Sequence, residues 1–457
     1  MDEPVPVLEP VVARRSRRIS TAVVVLAIVA VALVVAWGVL FLARPSPTIG
    51  TPLRLVVIGP DGSLATTDAL GAVLKDGDAP GYGYQFPAWS PDGSHVAAIG
   101  RSGALATVDV FDTDPNASGL PRRIYQSDNR LPFYLYWAPD SKHVTFLTSE
   151  PDPDNIALRI APADGSGPAD IVRAASPFYW DFVDSSRLLL HTGSTGSEAF
   201  TGEIGLDGDS LEDSPISSGL FRAPAVGGDG TSRAYVVAQG DDPSAGGELV
   251  VEARDGSVRH EIPVRGAAAF SFDPTSTRLA FIAPKVPRDP PSPIPAGPLQ
   301  IVDASSGETR TVLDRDVLAF FWSPDGRTIA TLDLRPPDEQ QPDPGQAGIG
   351  TVAGTGSISA VPPLLTTPGV GLHLSFIDPD SGALISERDV RVSDLFAFQI
   401  LPYFDQYALS HRFWAPDSRA IVLPLAESDG LDLVTVIPAD GGDPYTVATG
   451  WVGFWSP

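Results

Sequence analysis

The chain of 457 residues carries 31 basic and 56 acidic side chains, a formal net charge of −25, and no cysteine. Disulfides, cysteine-ligated metals and thiol catalysis are excluded, and an acidic chain is a poor partner for nucleic acid or an anionic lipid surface, which are themselves polyanions. With 44 glycines, 46 prolines and 43% hydrophobic residues, the composition suits short strands and many turns around a real core.

Residues 1–20 read as a polar N-terminal tail with Arg14, Arg15, Arg17 and Arg18 near its end. The next stretch, AVVVLAIVAVALVVAWGVLFLA at 22–43, is uncharged and apolar. About 20 such residues span a hydrocarbon core as a helix, so a transmembrane helix is expected over 21–43. Only Arg44 follows directly. The positive-inside rule then sets the tail in the cytoplasm and the rest on the extracytoplasmic side of the cytoplasmic membrane, with the lipid bilayer as a partner. A cleaved signal peptide would have a shorter apolar region and a small-residue cleavage site, whereas this run ends in LFLARPSP. RPSPTIGTP, residues 44–52, is a short, stiff tether.

From residue 53 onward one phrase recurs: PAWSPDGSHVAAI at 87, LYWAPDSKHVTFL at 135, FSFDPTSTRLAFI at 270, FFWSPDGRTIATL at 320 and RFWAPDSRAIVLP at 412. Weaker copies are WDFVDSSRLLLHT at 180 and AVGGDGTSRAYVV at 225, and the chain finishes on GFWSP. The tryptophan position of the phrase falls at 89, 137, about 181, about 226, 272, 322, 414 and 455, mostly 41 to 50 residues apart. Each phrase reads as a strand, a Ser-Pro-Asp-Gly turn and a second strand. A further hairpin lies between phrases, as in LQIVDASSGETRTVL at 299–313. A four-strand repeat of this length, unable to bury both faces alone, is the signature of a β-propeller. The marker aromatics are expected to pack between blades. The fold class expected is therefore all-β. LRLVVIGPDG, SLATTDALG and AVLK after the tether supply three strands, and the final GFWSP supplies the fourth, of a closing blade over 53–457. That counts eight blades, with seven as the alternative.

These phrases, with the VDxxSG hairpin, resemble the WD40-like (PD40) repeats of the TolB propeller family and the propeller domain of prolyl-oligopeptidase-type peptidases. The resemblance implies a TolB-like propeller and says little about activity. The copies at 181, 226 and 272 lack the tryptophan, and no hydrolase domain follows the last strand.

The Ser-Pro-Asp-Gly turns form a uniform face, and the long connections fall on the opposite one. The longest is the Pro/Gly-rich insertion 335–371, next to the aromatic connection 391–413, which bears Phe396, Phe398, Tyr403, Phe404 and Tyr407. These rings either pack down as a cap or form a recognition patch. The acidic loops with Glu150, Asp152 and Asp154, with Asp241 and Asp242, and with Glu427 and Asp429 complete the candidate ligand-binding face. No cofactor is called for. Calcium is conceivable through carboxylate oxygens, although no complete calcium-loop spacing occurs. No G-x-S-x-G, H-E-x-x-H or phosphate-loop motif occurs, and no catalytic residue is assigned. His95 and His143 occupy one repeat position, facing solvent. The functional expectation is a membrane-anchored module binding a protein, peptide or glycan. The alternative is a propeller-type hydrolase or lyase acting on a cell-surface polymer.

Overall fold

The computed structural model describes residues 53–457 except 78, 118, 152–155, 177, 194–199, 210–222, 239–246, 267, 287–294, 335–368 and 428–429. The transmembrane segment and tether expected before residue 53 lie outside the described residues. Among those described, no helix is long and apolar enough to cross a membrane.

The described chain is mostly antiparallel strand, laid down as four four-stranded sheets, one of three strands and one continuous sheet of ten, in the manner of a β-propeller. In the sheet of Gly83–Trp89, His95–Ser102, Leu105–Asp112 and Arg122–Ser127, chain order is spatial order. The sheet that begins with Pro132–Trp137 repeats this order. One sheet draws on both ends of the chain: Val452–Trp455 pairs with Arg54–Ile58, which pairs with Leu64–Asp68, followed by Val73–Asp76. The expected order of N- and C-terminal strands is the observed one. Such pairing leaves no open inner seam for another chain to enter. Strand Thr309–Trp322 does two jobs: Thr309 pairs with Val302 at the outer edge of one sheet, and Trp322 pairs with Ile329 as the inner strand of the next.

The recurrent turn has a simple construction. In the first copy Gly93 N–H donates to Ser90 O at 2.9 Å, Ser90 N–H donates to His95 O at 2.9 Å, and Gly93 holds φ 70°. A type I turn followed by a left-handed residue matches the twist of the flanking strands. Serine takes the left-handed position in three copies, Ser141, Ser276 and Ser418, at φ 58°, 60° and 63°. Two of these serines also stitch: Asp92 N–H donates to Ser141 Oγ at 3.1 Å, and Asp325 N–H donates to Ser418 Oγ at 3.0 Å.

The marker tryptophans lie between sheets. Four of the five indole N–H groups donate to the carbonyl just before the preceding marker: Trp89 to Phe454 at 3.1 Å, Trp137 to Ala88 at 2.9 Å, Trp322 to Ser271 at 3.3 Å and Trp414 to Phe321 at 3.0 Å, whereas that of Trp455 is buried with no partner among the described residues. In those four the buried indole keeps its one donor satisfied while its ring fills the gap. The marker near 181 is Phe182, which pairs with Leu188 as Trp89 pairs with Val96. There the stitch is a carboxylate. Asp181 Oδ1 accepts Phe182 N–H at 2.8 Å and the Tyr136 hydroxyl at 3.1 Å, and Oδ2 accepts Val226 N–H at 2.8 Å.

Candidate functional site: a plugged channel

The inner strands leave a channel at their centre, and the connection after strand Leu384–Val392 enters it. A π-helical turn, Phe396–Ile400, is followed by a 3-10 turn, Leu401–Tyr403, and an α-helix, Phe404–Ser410, here α1. The sequence dictates the burial. Phe396, Ile400, Phe404, Tyr407 and His411 recur at helical intervals of three and four, which places them along one stripe. All five are buried, at 0%, 0%, 1%, 6% and 2% exposure.

The stripe meets inner strands from around the ring. Phe404 lies 5.3 Å from Phe320 and 5.9 Å from Phe321, Tyr407 lies 6.0 Å from Phe86 and 5.4 Å from Tyr134, and His411 lies 4.5 Å from Phe454, all between ring centroids. Those partners sit on different sheets, so α1 occupies the axis. Its polar side is used as well. Gln406 Oε1 accepts Trp180 N–H at 3.0 Å, while Gln406 Nε2 donates to Trp180 O at 2.9 Å and to the Tyr134 hydroxyl at 3.1 Å. An inner strand presents an unpaired edge to the channel. The carboxamide of Gln406 satisfies that edge as another strand would. The Tyr134 hydroxyl donates to Gln406 O at 3.0 Å, with Ser410 Oγ 2.6 Å away.

Burial sets the electrostatics. Desolvation pushes the His411 imidazole down to about 3, so the ring is neutral, with Nδ1 2.6 Å from Ser410 Oγ. Desolvation raises Asp181 to about 7 against its three hydrogen-bond donors. Burial raises the phenols of Tyr134 and Tyr407 as well.

Of the rings singled out from sequence, Phe396, Phe404 and Tyr407 therefore belong to the plug, whereas Phe398 and Tyr403 are 69% and 47% exposed. Glu427 is exposed at the same end of its sheet as the plug connection, beside strand Ala420–Ala426. Glu150 is committed to Arg130 and Arg159, each at 2.8 Å. Asp152, Asp154, Asp241, Asp242 and Asp429 lie outside the described residues. Among the described residues no three His, Asp or Glu side chains group as a metal site. Sequence reasoning passed over Gln406, Tyr134, Tyr136 and Asp181. The one available signal was the helical spacing within 396–411.

No protein-family model matches the chain, and no curated protein matches it. Solved structures do. TolB from Acinetobacter baumannii aligns at 12% identity and TM-score 0.38 over 90% of this chain and 84% of its own. An oligogalacturonate lyase in complex with manganese aligns at 11% identity and TM-score 0.44 over 87% of this chain and 85% of its own. A eukaryotic initiation factor aligns at 10% identity and TM-score 0.46 over 89% of this chain and 99% of its own. At such identities and scores, the architecture rests on the sheets described above.

Proposed function

We propose that this chain is a membrane-anchored, extracytoplasmic propeller that binds a protein, peptide or glycan at its plugged face. The observation that carries the reading is the contrast within one short segment. Phe398 and Tyr403 stand exposed at 69% and 47%, while the stripe that holds them is locked in the channel. Aromatic anchors on a rigid support bind at low entropic cost. The apolar stretch at 22–43 supports the anchoring. An eight-bladed count is part of the same proposal. Its support is the succession of inner strands through Val452–Trp455, Gly83–Trp89, Pro132–Trp137, Phe178–Asp184, Ala225–Val226, Ala269–Phe272, the second half of Thr309–Trp322 and the bridge Trp414 to Ile421.

The test is affinity capture with the full chain in mild detergent, wild type against Phe398→Ala/Tyr403→Ala. A partner or glycan retained by the wild type should fall by at least about tenfold with the double variant, since exposed aromatic anchors are worth about 1–2 kcal/mol each. Equal retention would remove the aromatic face from the mechanism.

A further inference from the structure

In each unit of the ring the chain runs back and forth from inner to outer strand, so its first and last hairpins open on the same side. The turn before each outermost strand therefore shares a face with the Ser-Pro-Asp-Gly turns, opposite the plug. On that face the outermost strands begin with exposed apolar side chains. Leu70 and Val73, at the start of Val73–Asp76, are 78% and 59% exposed, and Leu120, just before Arg122–Ser127, is 75% exposed. Ile171 lies at the start of Asp170–Ala175, Leu384 and Ile385 at the start of Leu384–Val392, and Tyr445 at the start of Tyr445–Thr449, all exposed.

These strands belong to five consecutive units. Ser386 Oγ donates to Ala439 O at 2.7 Å, which seats Leu384–Val392 against the turn before Tyr445. Gly71, next to Leu70, lies so close to Val447 that a Cβ there would clash with the Val447 carbonyl. Lys75 Nζ donates to Asp114 O at 2.8 Å, in the connection that carries Leu120, and Arg122 Nη1 donates to Ala163 O at 2.9 Å, in the turn before Asp170–Ala175. The apolar residues thus form one arc. Across the ring the corresponding turns are polar: Asp255 and Ser257 are exposed in one unit, and Ser305, Ser306 and Glu308 in the next.

The chain enters the ring on this same face. Arg54–Ile58 is the second strand of its unit and starts beside the turns, where Arg54 Nη2 donates to Gly93 O at 2.9 Å. That unit also carries Leu70 and Val73, the middle of the arc. Residues 44–52 separate the apolar stretch 22–43 from residue 53, and a link of that length reaches at most about 30 Å. Single exposed apolar residues scattered over a surface are ordinary. An arc of them centred on the entry of a short tether calls for an occupant.

We infer that the arc docks on the lipid bilayer, with Leu70, Val73 and Leu120 inserted at the headgroup boundary and the plugged face turned away from the membrane. The inference rests on the membrane anchoring proposed above and adds to it a surface and an orientation. Apolar insertion strengthens with the area buried, and a tether holds lipid at high effective concentration, so a few side chains suffice. The net charge of −25 makes anionic headgroups repulsive, so the attraction is apolar and the lipid zwitterionic. Docked in this way, the protein presents Phe398 and Tyr403 to the solution.

A chain without cysteine accepts single labels. Full-length Leu70→Cys, Leu120→Cys, Ser257→Cys and Phe398→Cys, all at exposed positions, each carry an environment-sensitive fluorophore in phosphatidylcholine vesicles containing doxyl-labelled lipid. Labels at 70 and 120 should shift to the blue and lose emission to the lipid quencher. Those at 257 and 398 should do neither. Flotation of the same vesicles at high salt reads the anchor separately. A chain that floats while its labels at 70 and 120 stay in water overturns the docked arc and leaves the anchor standing. A chain that does not float overturns both. Labels at 70 and 120 that are already shifted in detergent and escape the lipid quencher place a second copy of the chain on the arc and overturn the lipid assignment.

Discussion

Two arcs of the ring close the same kind of gap with different chemistry. From Trp322 through Trp414, and from Trp89 to Trp137, an indole fills the space and spends its N–H on a backbone carbonyl. Around Phe182 and Val226 the indole is missing, and the buried carboxyl of Asp181 gathers two backbone N–H groups and a phenol instead. The first solution is neutral at every pH. The second is titratable, so one arc of an otherwise repetitive ring is coupled to proton concentration.

The comparison can be broken at its strongest point by Trp137→Ala. Trp137 is 2% exposed, and truncating such a ring costs about 3–5 kcal/mol. Urea unfolding should show a loss in that range, and a loss below about 1 kcal/mol would mean the indole does not seal the sheets.

Next in size is the pH response of Asp181. Its folded-state pKa of about 7 stands above its ordinary 3.8, so the native state binds the proton more tightly than the unfolded chain. That contribution is fully present below about pH 4, falls as pH rises toward 7, and is flat above. Asp432, raised to about 6 by burial and by Asp394, acts with the same sign. His411, lowered to about 3, acts oppositely below its ordinary 6.5. The difference between wild type and Asp181→Asn isolates the first group. Between pH 5 and pH 8 the wild type should lose more stability than the variant, read as urea midpoints. Parallel profiles would show that Asp181 titrates at its ordinary value.

The smallest effect sharpens the role of the left-handed serines. A side chain at positive φ costs about 1–2 kcal/mol. Ser276 Oγ is buried with no hydrogen-bond partner among the described residues, whereas Ser141 Oγ accepts from Asp92. Ser276→Gly should therefore stabilise by up to about 1 kcal/mol, after the extra chain entropy of glycine. Ser141→Gly should gain little, because relief of strain is offset by the lost stitch. Thermal midpoints of the two variants measure the contrast.

The ring was legible in sequence because its parts repeat: the Ser-Pro-Asp-Gly turn and the aromatic before it recur at a steady interval, and each copy has the same task. The split of the closing sheet could be read for the same reason, since LRLVVIGPDG and GFWSP are recognisable pieces of one unit. The plug occurs once. A single aromatic-rich connection gives no internal comparison, and Phe398 and Phe404 look alike until the intervals of three and four separate the buried stripe from the exposed rings. Asp181 was harder still. What makes it unusual is that its carboxyl gathers donors from Tyr136, Phe182 and Val226 on three different strands, an arrangement that no local stretch encodes.

The closing sheet also orders events in time. Arg54–Ile58 is made early, yet its inner neighbour, Val452–Trp455, is made almost four hundred residues later. Contacts so distant along the chain form slowly. Until then the Arg54–Ile58 edge is unpaired, the channel has a missing wall, and His411 waits without the ring of Phe454 beside it. Completion of the ring is thus a late, all-or-nothing event. A nascent chain that stalls before residue 452 presents an adhesive strand edge, so this protein's vulnerability to misassembly is concentrated at the point where that strand is made.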